Sequence, residues 1–315
     1  MISARDVQVV REWPDRPSAT LLDDVEADVA TGEVVAVVGR RGAGVSTLLG
    51  VLGGRVRPTR GRVRVLGVDP SQDRRGLLTG SVTVLPAHGA LFDHLTVAET
   101  VGLWTSLHAD PHDLEDLLEL ADLAPFASVL VRRLDVAAQQ RLRLAVTFAG
   151  RTPLVVCDEP AGGAAAGTGR ALAALLGRHR AEGGTAVVAG GSPDALDPDV
   201  VARADRIAVL RRGRLVTLSP PGEVIARFAA HGAATVLLTD AREAGDLTSA
   251  VPGATFQRVG EQTRVELPDC PAGRVRQLTE PLRSVVDLRH HEATLTDAVR
   301  RATADRRRPV ARTSP

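Results

Sequence analysis

The sequence has no lysine, no asparagine and no tyrosine among its 315 residues, so all 39 residues in its Lys and Arg count are arginine. These three residues share A/T-rich codons, and a GC-rich genome is the simplest explanation for their absence. The lack of lysine still has a chemical consequence. It excludes a Schiff-base lysine, a lysine general base and a phosphate-binding lysine from this chain.

Cysteine and long apolar runs are also scarce. The two cysteines, Cys157 and Cys270, lie far apart, so we expect neither a disulfide framework nor a metal site. No basic segment followed by an apolar stretch opens the chain, and its longest apolar runs, such as 34–38, have the length of strands. A net charge of +1 gives no electrostatic argument for nucleic acid. We therefore expect a cytoplasmic protein without a nucleic-acid partner, which reaches a membrane only through another protein.

The segments that are present alternate between short apolar strands and helical patterns. This alternation is typical of an α/β fold with a mostly parallel sheet covered on both faces. After about residue 230 the pattern restarts in the order βαββαβ, a ferredoxin-like α+β arrangement. The predicted domains are the α/β domain 1–232, with a helical subdomain at about 88–145, and the accessory domain 233–315, which ends in a basic tail.

A glycine-rich loop follows the apolar strand 34–38. Residues 39–47 read G-R-R-G-A-G-V-S-T, which has the spacing of the P-loop pattern G-x-x-x-x-G-K-S/T with Val45 in the lysine position. Gly39, Gly42 and Gly44 allow backbone amides to surround a phosphate, and the helix that begins near Val45 points its N-terminus toward it. The sequence therefore predicts a phosphate site that lacks its lysine.

Further motifs fall in one order along the chain. They are P-T-R-G-R-V at 58–63, L-T-V-A-E at 95–99, the acidic pair Asp158-Glu159 after an apolar strand, and A-D-R-I-A-V-L at 204–210. Over about residues 1–230 the chain resembles the ATP-binding subunits of ABC transporters. The resemblance implies a P-loop NTPase cassette with an antiparallel N-terminal β subdomain and a helical subdomain. It also implies ATP and Mg²⁺ as cofactors, an integral membrane permease as partner, and a homodimer or a heterodimer with another ABC ATPase on the inner face of the cell membrane.

The resemblance assigns site residues by position. The implied nucleotide-binding residues are Trp13, Gly39, Arg40, Arg41, Gly42, Ala43, Gly44, Val45, Ser46 and Thr47. Ser46 and Asp158 would hold Mg²⁺, and Glu159 would be the general base. Two alternatives stay open: Trp13 stacks on adenine or is an ordinary half-buried aromatic, and Arg40 and Arg41 reach the phosphates or remain solvated.

Most of the polar groups that this family uses for hydrolysis are replaced. The replaced positions are Ala87 for the Q-loop glutamine, Asp135, Val136 and Ala137 in the signature, Ala165 for the D-loop aspartate and Gly191 for the switch histidine. Codon bias does not explain these changes, because glutamine, serine and histidine all occur elsewhere in the chain. Phosphoryl transfer depends on positioning and charge stabilisation, so a general base without these groups contributes little. We therefore expect weak ATP hydrolysis or none.

Three hypotheses for function follow. The first is a degenerate subunit that braces or regulates a transporter, with export favoured because 295–299, L-T-D-A-V, loosely resembles the L-E-D-V-F ending of daunorubicin-resistance-type drug exporters. The second is an active ATPase subunit with atypical loops. The third is a soluble nucleotide-sensing or scaffolding protein without a permease.

The C-terminal end of the chain is basic. This tail is either a solvated terminus or a contact with anionic lipid, and its arginines are Arg300, Arg301, Arg306, Arg307, Arg308 and Arg312.

Overall fold

The structure is a computed structural model that describes residues 1–315 except 88, 90, 161–166, 191–197, 230 and 305–315. The chain divides into two compact units, Met1–Pro220 and Pro221–Pro315. This division lies earlier than the predicted boundary at residue 232. The reason is that the helix Pro221–Phe228 packs against the helix Leu295–Thr303 of the second unit.

The first unit contains two sheets and a group of helices. Its strands are β1 (Ile2–Trp13), β2 (Arg16–Val29), β3 (Val34–Gly39), β4 (Arg60–Val65), β5 (Val82–Leu85), β6 (Leu154–Asp158), β7 (Thr185–Gly190), β8 (Arg206–Arg211) and β9 (Arg214–Ser219). Its helices are α1 (Val45–Leu52), α2 (Arg74–Leu78), α3 (Val97–Ser106), α4 (Leu114–Leu120), α5 (Val136–Thr147), α6 (Thr168–Ala181) and α7 (Pro198–Val201).

The larger sheet has the strand order β5-β6-β7-β3-β8-β9. Its first five strands are parallel and β9 joins β8 as an antiparallel edge. Side chains on β6 alternate between two cores: Leu154 and Val156 pack with α1, whereas Val155 and Cys157 pack with the helices on the other face. Both faces are covered, which confirms the predicted α/β class.

The smaller sheet has the order β2-β1-β4 and is antiparallel throughout, as predicted for the N-terminal β subdomain. The helical subdomain predicted at about 88–145 is divided into several short pieces. It holds α3, α4, two short 3-10 turns and most of α5, because Thr96 and Asp113 cap new helices and Pro111 lies between α3 and α4.

The second unit is described by itself. Its elements are α8 (Pro221–Phe228), β10 (Ala233–Leu238), α9 (Ala241–Ala250), β11 (Thr255–Val259), β12 (Gln262–Pro268), α10 (Ala272–Thr279), β13 (Val285–His291) and α11 (Leu295–Thr303). The sheet order β11-β12-β10-β13, with antiparallel neighbours, confirms the ferredoxin-like arrangement. Arg301 of the predicted basic tail lies in α11 and pairs with Asp269 at 2.6 Å. Arg306, Arg307, Arg308 and Arg312 lie outside the described residues.

The two cysteines belong to different units, and both are buried and free. Burial raises the pKa of the Cys157 thiol to about 12. Within the described part of the chain, no helix combines the length and the apolar character needed to cross a membrane.

Candidate functional site

The glycine loop connects a fully buried strand of the large sheet to α1. Every residue of β3 is buried, and the chain leaves it at Gly39. Gly44 is the N-cap of α1 at φ 100°, and a Cβ there would lie 2.5 Å from the carbonyl oxygen of Leu21, so only glycine fits. Because no side chain caps α1, the amides of its first turn remain available to an anion.

A cavity of about 170 Å³ lies over this loop. Its lining residues are Gly39, Arg40, Arg41, Gly42, Ala43, Gly44, Val45, Ser46, Thr47 and Glu159. The structure thus brings together the predicted loop residues and the predicted general base. A phosphate chain fits a loop built of such amides.

Val45 occupies the lysine position with an apolar, buried side chain. It is 8% exposed and packs in the core cluster with Ala43 and Leu48. A Cβ on Gly39 would come within 2.9 Å of Val45 Cγ2, so the valine methyl groups lie against the loop backbone. Arg40 and Arg41 line the cavity and are exposed, and neither pairs with another described residue.

The two predicted Mg²⁺ ligands lie next to each other. Ser46 at the start of α1 donates its Oγ hydrogen to Asp158 Oδ1 at 3.2 Å, and Asp158 is buried at the end of β6. A hydroxyl and a carboxylate oxygen at a phosphate loop are donors that Mg²⁺ accepts, so these residues fit the ion. The pair would hold Mg²⁺ with the nucleotide supplying further oxygens.

Glu159 follows directly in a left-handed backbone conformation, φ 50°. Its backbone N–H donates to the carbonyl of Ala189 at 3.1 Å, which fixes this turn against β7. The exposed side chain lines the loop cavity. This placement suits a general base, and that role remains a prediction.

Trp13 is not brought to the cavity. It ends β1, is half-buried, and pairs across the hairpin with the backbone of Arg16. The guanidinium of Arg11 lies over its ring, 5.4 Å from the centroid. Stacking on adenine therefore stays a prediction.

The signature positions lie at the start of α5. Asp135 is the N-cap, and its Oδ1 accepts a hydrogen bond from the Ala138 amide at 2.7 Å. Val136 is 76% exposed and Ala137 is half-buried. Unlike α1, α5 thus carries its own negative charge over its N-terminal amides. Ala165 and Gly191 lie outside the described residues.

Arg143, which the sequence analysis missed, contacts the Ala87 position, and Gln140, also missed, contacts Arg143. Ala87 follows β5, and its carbonyl accepts a hydrogen bond from Arg143 Nη1 at 3.3 Å. Arg143 also contacts Gln140, one turn earlier on α5. Their spacing of three residues places them on one helix face, which is the signal that was available in the sequence.

Comparison with known proteins agrees with this geometry. A family model described as ABC transporter matches residues 22–162. The hemin import ATP-binding protein HmuV of Streptomyces coelicolor is 36% identical over 214 residues, which cover 66% of this chain and 75% of that protein. The thiamine import ATP-binding protein ThiQ of Rhizobium meliloti is 34% identical over 194 residues, 60% of this chain and 79% of its own length.

A solved structure shares the fold. The dimeric structure of MJ0796, a bacterial ABC transporter cassette, matches with a TM-score of 0.60 at 24% identity, covering 70% of this chain and 98% of that one. Residues 22–162, which the family model matches, include the glycine loop and both members of the Ser46–Asp158 contact. By this agreement of sequence and architecture, the chain belongs to the ATP-binding proteins of ABC transporters.

Proposed function

We propose that this chain is a cassette subunit that binds Mg²⁺-ATP weakly through residues 39–47, hydrolyses it slowly or not at all, and acts as a structural or regulatory subunit beside a membrane permease. The observation that carries the proposal is Val45. A buried apolar side chain holds the lysine position of the loop, in a chain that has no lysine elsewhere to replace it.

The missing charge sets the expected strength of binding. A P-loop lysine neutralises the β- and γ-phosphates, and valine supplies neither a donor nor a charge. A charge-assisted hydrogen bond is worth about 1.5–3 kcal/mol, or about one to two decades of affinity. The uncapped start of α1 and the Ser46–Asp158 pair remain, so binding is weakened rather than abolished.

Alterations on both halves of the site favour the non-hydrolysing role. The family resemblance places each ATP between the loop of one subunit and the signature of the other. This chain carries Val45 on the loop side and Asp135 on the signature side, where a carboxylate caps α5. Paired with an intact subunit, it would leave both pockets incomplete.

The relatives support a transporter that includes a permease, and their names also concern the direction of transport. The relatives named above are import proteins. Export, which the end of the chain led us to expect, has no support among them, and the proposed function includes no direction. The proposed partners are an integral membrane permease and a second cassette, either a copy of this chain or another ABC ATPase, at the inner face of the membrane.

The test is the Mg²⁺-dependent ATPase rate of the purified chain with Glu159→Gln as the matched variant. We expect turnover near the no-enzyme background for both proteins, together with measurable binding of a fluorescent ATP analogue. Robust hydrolysis that disappears in Glu159→Gln would establish the second hypothesis, an active ATPase with atypical loops.

A separate measurement addresses the soluble-protein hypothesis. We expect the full chain to co-purify with a multi-span protein encoded beside its gene when the two are expressed together. A chain that stays in the soluble fraction in the presence of that protein, while binding nucleotide, would favour the sensing or scaffolding role.

A further inference from the structure

Arg143 makes an unusual set of contacts for a residue in the middle of a helix. From α5, its Nη2 donates to the carbonyl of Pro86 at 2.5 Å, and its Nη1 donates to the carbonyl of Ala87 at 3.3 Å. Both carbonyls belong to the segment that leaves β5 for the helical subdomain. One side chain thus binds the carbonyl groups of two consecutive residues, which lie 57 and 56 positions before it in the sequence.

The same guanidinium also contacts a residue that reaches a third segment. Arg143 Nη1 donates to Gln140 Oε1 at 3.0 Å, and Gln140 Nε2 donates to the carbonyl of Pro160 at 2.5 Å. Pro160 directly follows Asp158 and Glu159 of the candidate site. A continuous chain of hydrogen bonds therefore runs from the end of β5, through α5, to the residue after the acidic pair.

The positive charge of Arg143 is hydrogen-bonded to neutral groups. Among the described residues no carboxylate lies within ion-pair distance of Arg143, so its charge is met by neutral carbonyl oxygens. Burial lowers the pKa of this guanidinium. Hydrogen bonds from a charged donor are stronger than those between neutral groups, and a half-buried cation depends on keeping all of them.

We infer that Arg143 is a positioning residue that fastens the exit of β5 to the turn after Glu159 by way of Gln140. The fastening uses backbone carbonyls, so it is independent of the side chain at position 87. It holds the Ala87 segment in place whether or not nucleotide is bound. The independence from nucleotide rests on the proposed function. The family resemblance places at position 87 a glutamine that contacts the nucleotide, and this chain has alanine there.

Strand β5 of the large sheet allows the loss of the Arg143 contacts to be measured locally. Among the strands that the structure describes, β5 lies at the edge of the sheet and pairs with β6 alone, through Val84 with Val156 and Leu85 with Cys157. Its C-terminal end is held by the β6 ladder and by the bonds from Arg143. Releasing the arginine should let this end of the strand fray, which amide hydrogen exchange detects.

The experiment compares exchange of those β5 amides that donate to β6 in the full-length wild-type chain, Arg143→Ala and Arg143→Lys. We expect about ten- to a hundred-fold faster exchange in Arg143→Ala, the equivalent of the lost charge-assisted bonds. Arg143→Lys keeps the charge but cannot donate to both carbonyls in the same geometry, so its exchange rate should lie between those of the wild type and Arg143→Ala. The exposed Arg133, just before α5, gives the control Arg133→Ala, whose exchange should match the wild type.

Gln140→Ala tests the second half of the chain of bonds. If the two residues act as one unit, the double variant Gln140→Ala with Arg143→Ala exchanges no faster than Arg143→Ala alone. Independent, multiplied increases would overturn the link to Pro160. Unchanged exchange in a folded Arg143→Ala protein would overturn the positioning role altogether.

Adding Mg²⁺-ATP separates this inference from the proposed function. We expect no nucleotide effect on β5 exchange in either protein, because Ala87 has no side-chain group that could reach the nucleotide. Nucleotide-dependent exchange in the wild type would overturn the inference. If a fluorescent ATP analogue fails to bind either protein, the proposed function fails, while the nucleotide-free difference between the two proteins still tests Arg143.

Discussion

Val45 sets the electrostatics of the glycine loop at the scale of a single residue. Its methyl groups lie against Gly39 at the start of the loop, and the side chain lines the cavity. A lysine stem can follow the same apolar path with its ammonium group in the cavity. We expect Val45→Lys to tighten binding of a fluorescent ATP analogue by about one to two decades, measured by titration.

The matched control for that substitution is Val45→Leu, which adds volume without charge. It should leave nucleotide affinity near the wild-type value and lower the melting temperature slightly, because the site is well packed. If Val45→Lys folds and binds no more tightly than Val45→Leu, residues 39–47 are not a phosphate site.

Sequence alone predicts residues whose role follows from local spacing. Gly44 is an example, since the loop pattern requires a left-handed residue just before the helix and the structure has φ 100° there. Arg143 and Gln140 escaped prediction because their contacts depend on how α5 packs against β5. Trp13 at the end of the β1 hairpin does not line the cavity, and its two interpretations, adenine stacking and an ordinary half-buried aromatic, both stay predictions.

At the scale of elements, the two helices that this family places around ATP differ at their N-termini. Gly44 leaves the first amides of α1 without a side-chain partner, whereas Asp135 satisfies an amide of α5 at 2.7 Å. An anion is therefore attracted to α1 and meets a carboxylate at α5. The start of α1 thus keeps free amides although the loop lacks its lysine, whereas the start of α5 is capped by a carboxylate.

Histidines join the helical subdomain to the end of α6. His112 contacts the carbonyl of Phe148 and Glu182 Oε2, both at 2.7 Å. His179 Nε2 lies 2.9 Å from the carbonyl of Thr185, and its ring occupies the space beside Gly184. Burial lowers the pKa of His179, so the folded state prefers the neutral ring.

This preference gives a pH dependence of stability. The folded pKa of His179 is lower than the unfolded one, so stability is complete above about pH 6.5 and falls as the unfolded chain takes up protons below it. We expect the melting temperature to decrease between about pH 7.5 and 5.5. His179→Gln, which keeps an N–H donor and cannot titrate, should show a smaller decrease over the same range.

Titration of Glu182 does not affect the melting temperature in this pH range. Burial opposes its ionisation, but hydrogen bonds from His112 and Arg178 outweigh burial and lower the pKa of the carboxyl. Its contribution to stability is present above about pH 4.3 and lost only in stronger acid. The exposed His94 provides the control, since His94→Gln should leave the wild-type pH dependence unchanged. A wild-type melting temperature that is constant over the range would contradict the assignment to His179.

Element types were predictable where the chain is apolar and periodic. The strand segment 34–38 appears as β3, and the first helix of the predicted βαββαβ order is α9. The short strand β5 was not predicted, because four residues give too little periodicity and its place in the sheet comes from pairing with β6. The breaks in the helical subdomain were missed since caps at Thr96 and Asp113 interrupt an otherwise helical composition.

At the scale of the whole molecule, the division between the units falls within the proline pair Pro220-Pro221. Sequence reasoning placed the boundary at residue 232, where the second run of strands begins. It could not show that α8 belongs with the C-terminal unit, because the partner of α8 is α11, more than sixty residues further along the chain. Val224 of α8 is fully buried, and Arg301 of α11 donates to the carbonyl of Phe228.

This assignment leads to a difference between two shortened chains. We expect residues 1–220 to fold as a monodisperse protein that keeps the wild-type affinity for a fluorescent ATP analogue, since its sheets and cores are complete. Residues 1–232 retain α8 without α11, which leaves the apolar side of α8 uncovered, so we expect this chain to aggregate or to lose the helix. Size-exclusion chromatography and circular dichroism distinguish the two, and Val224→Asp in residues 1–232 should restore solubility by removing the apolar contact. Equal behaviour of both shortened chains would place α8 with the first unit and move the boundary back toward residue 232.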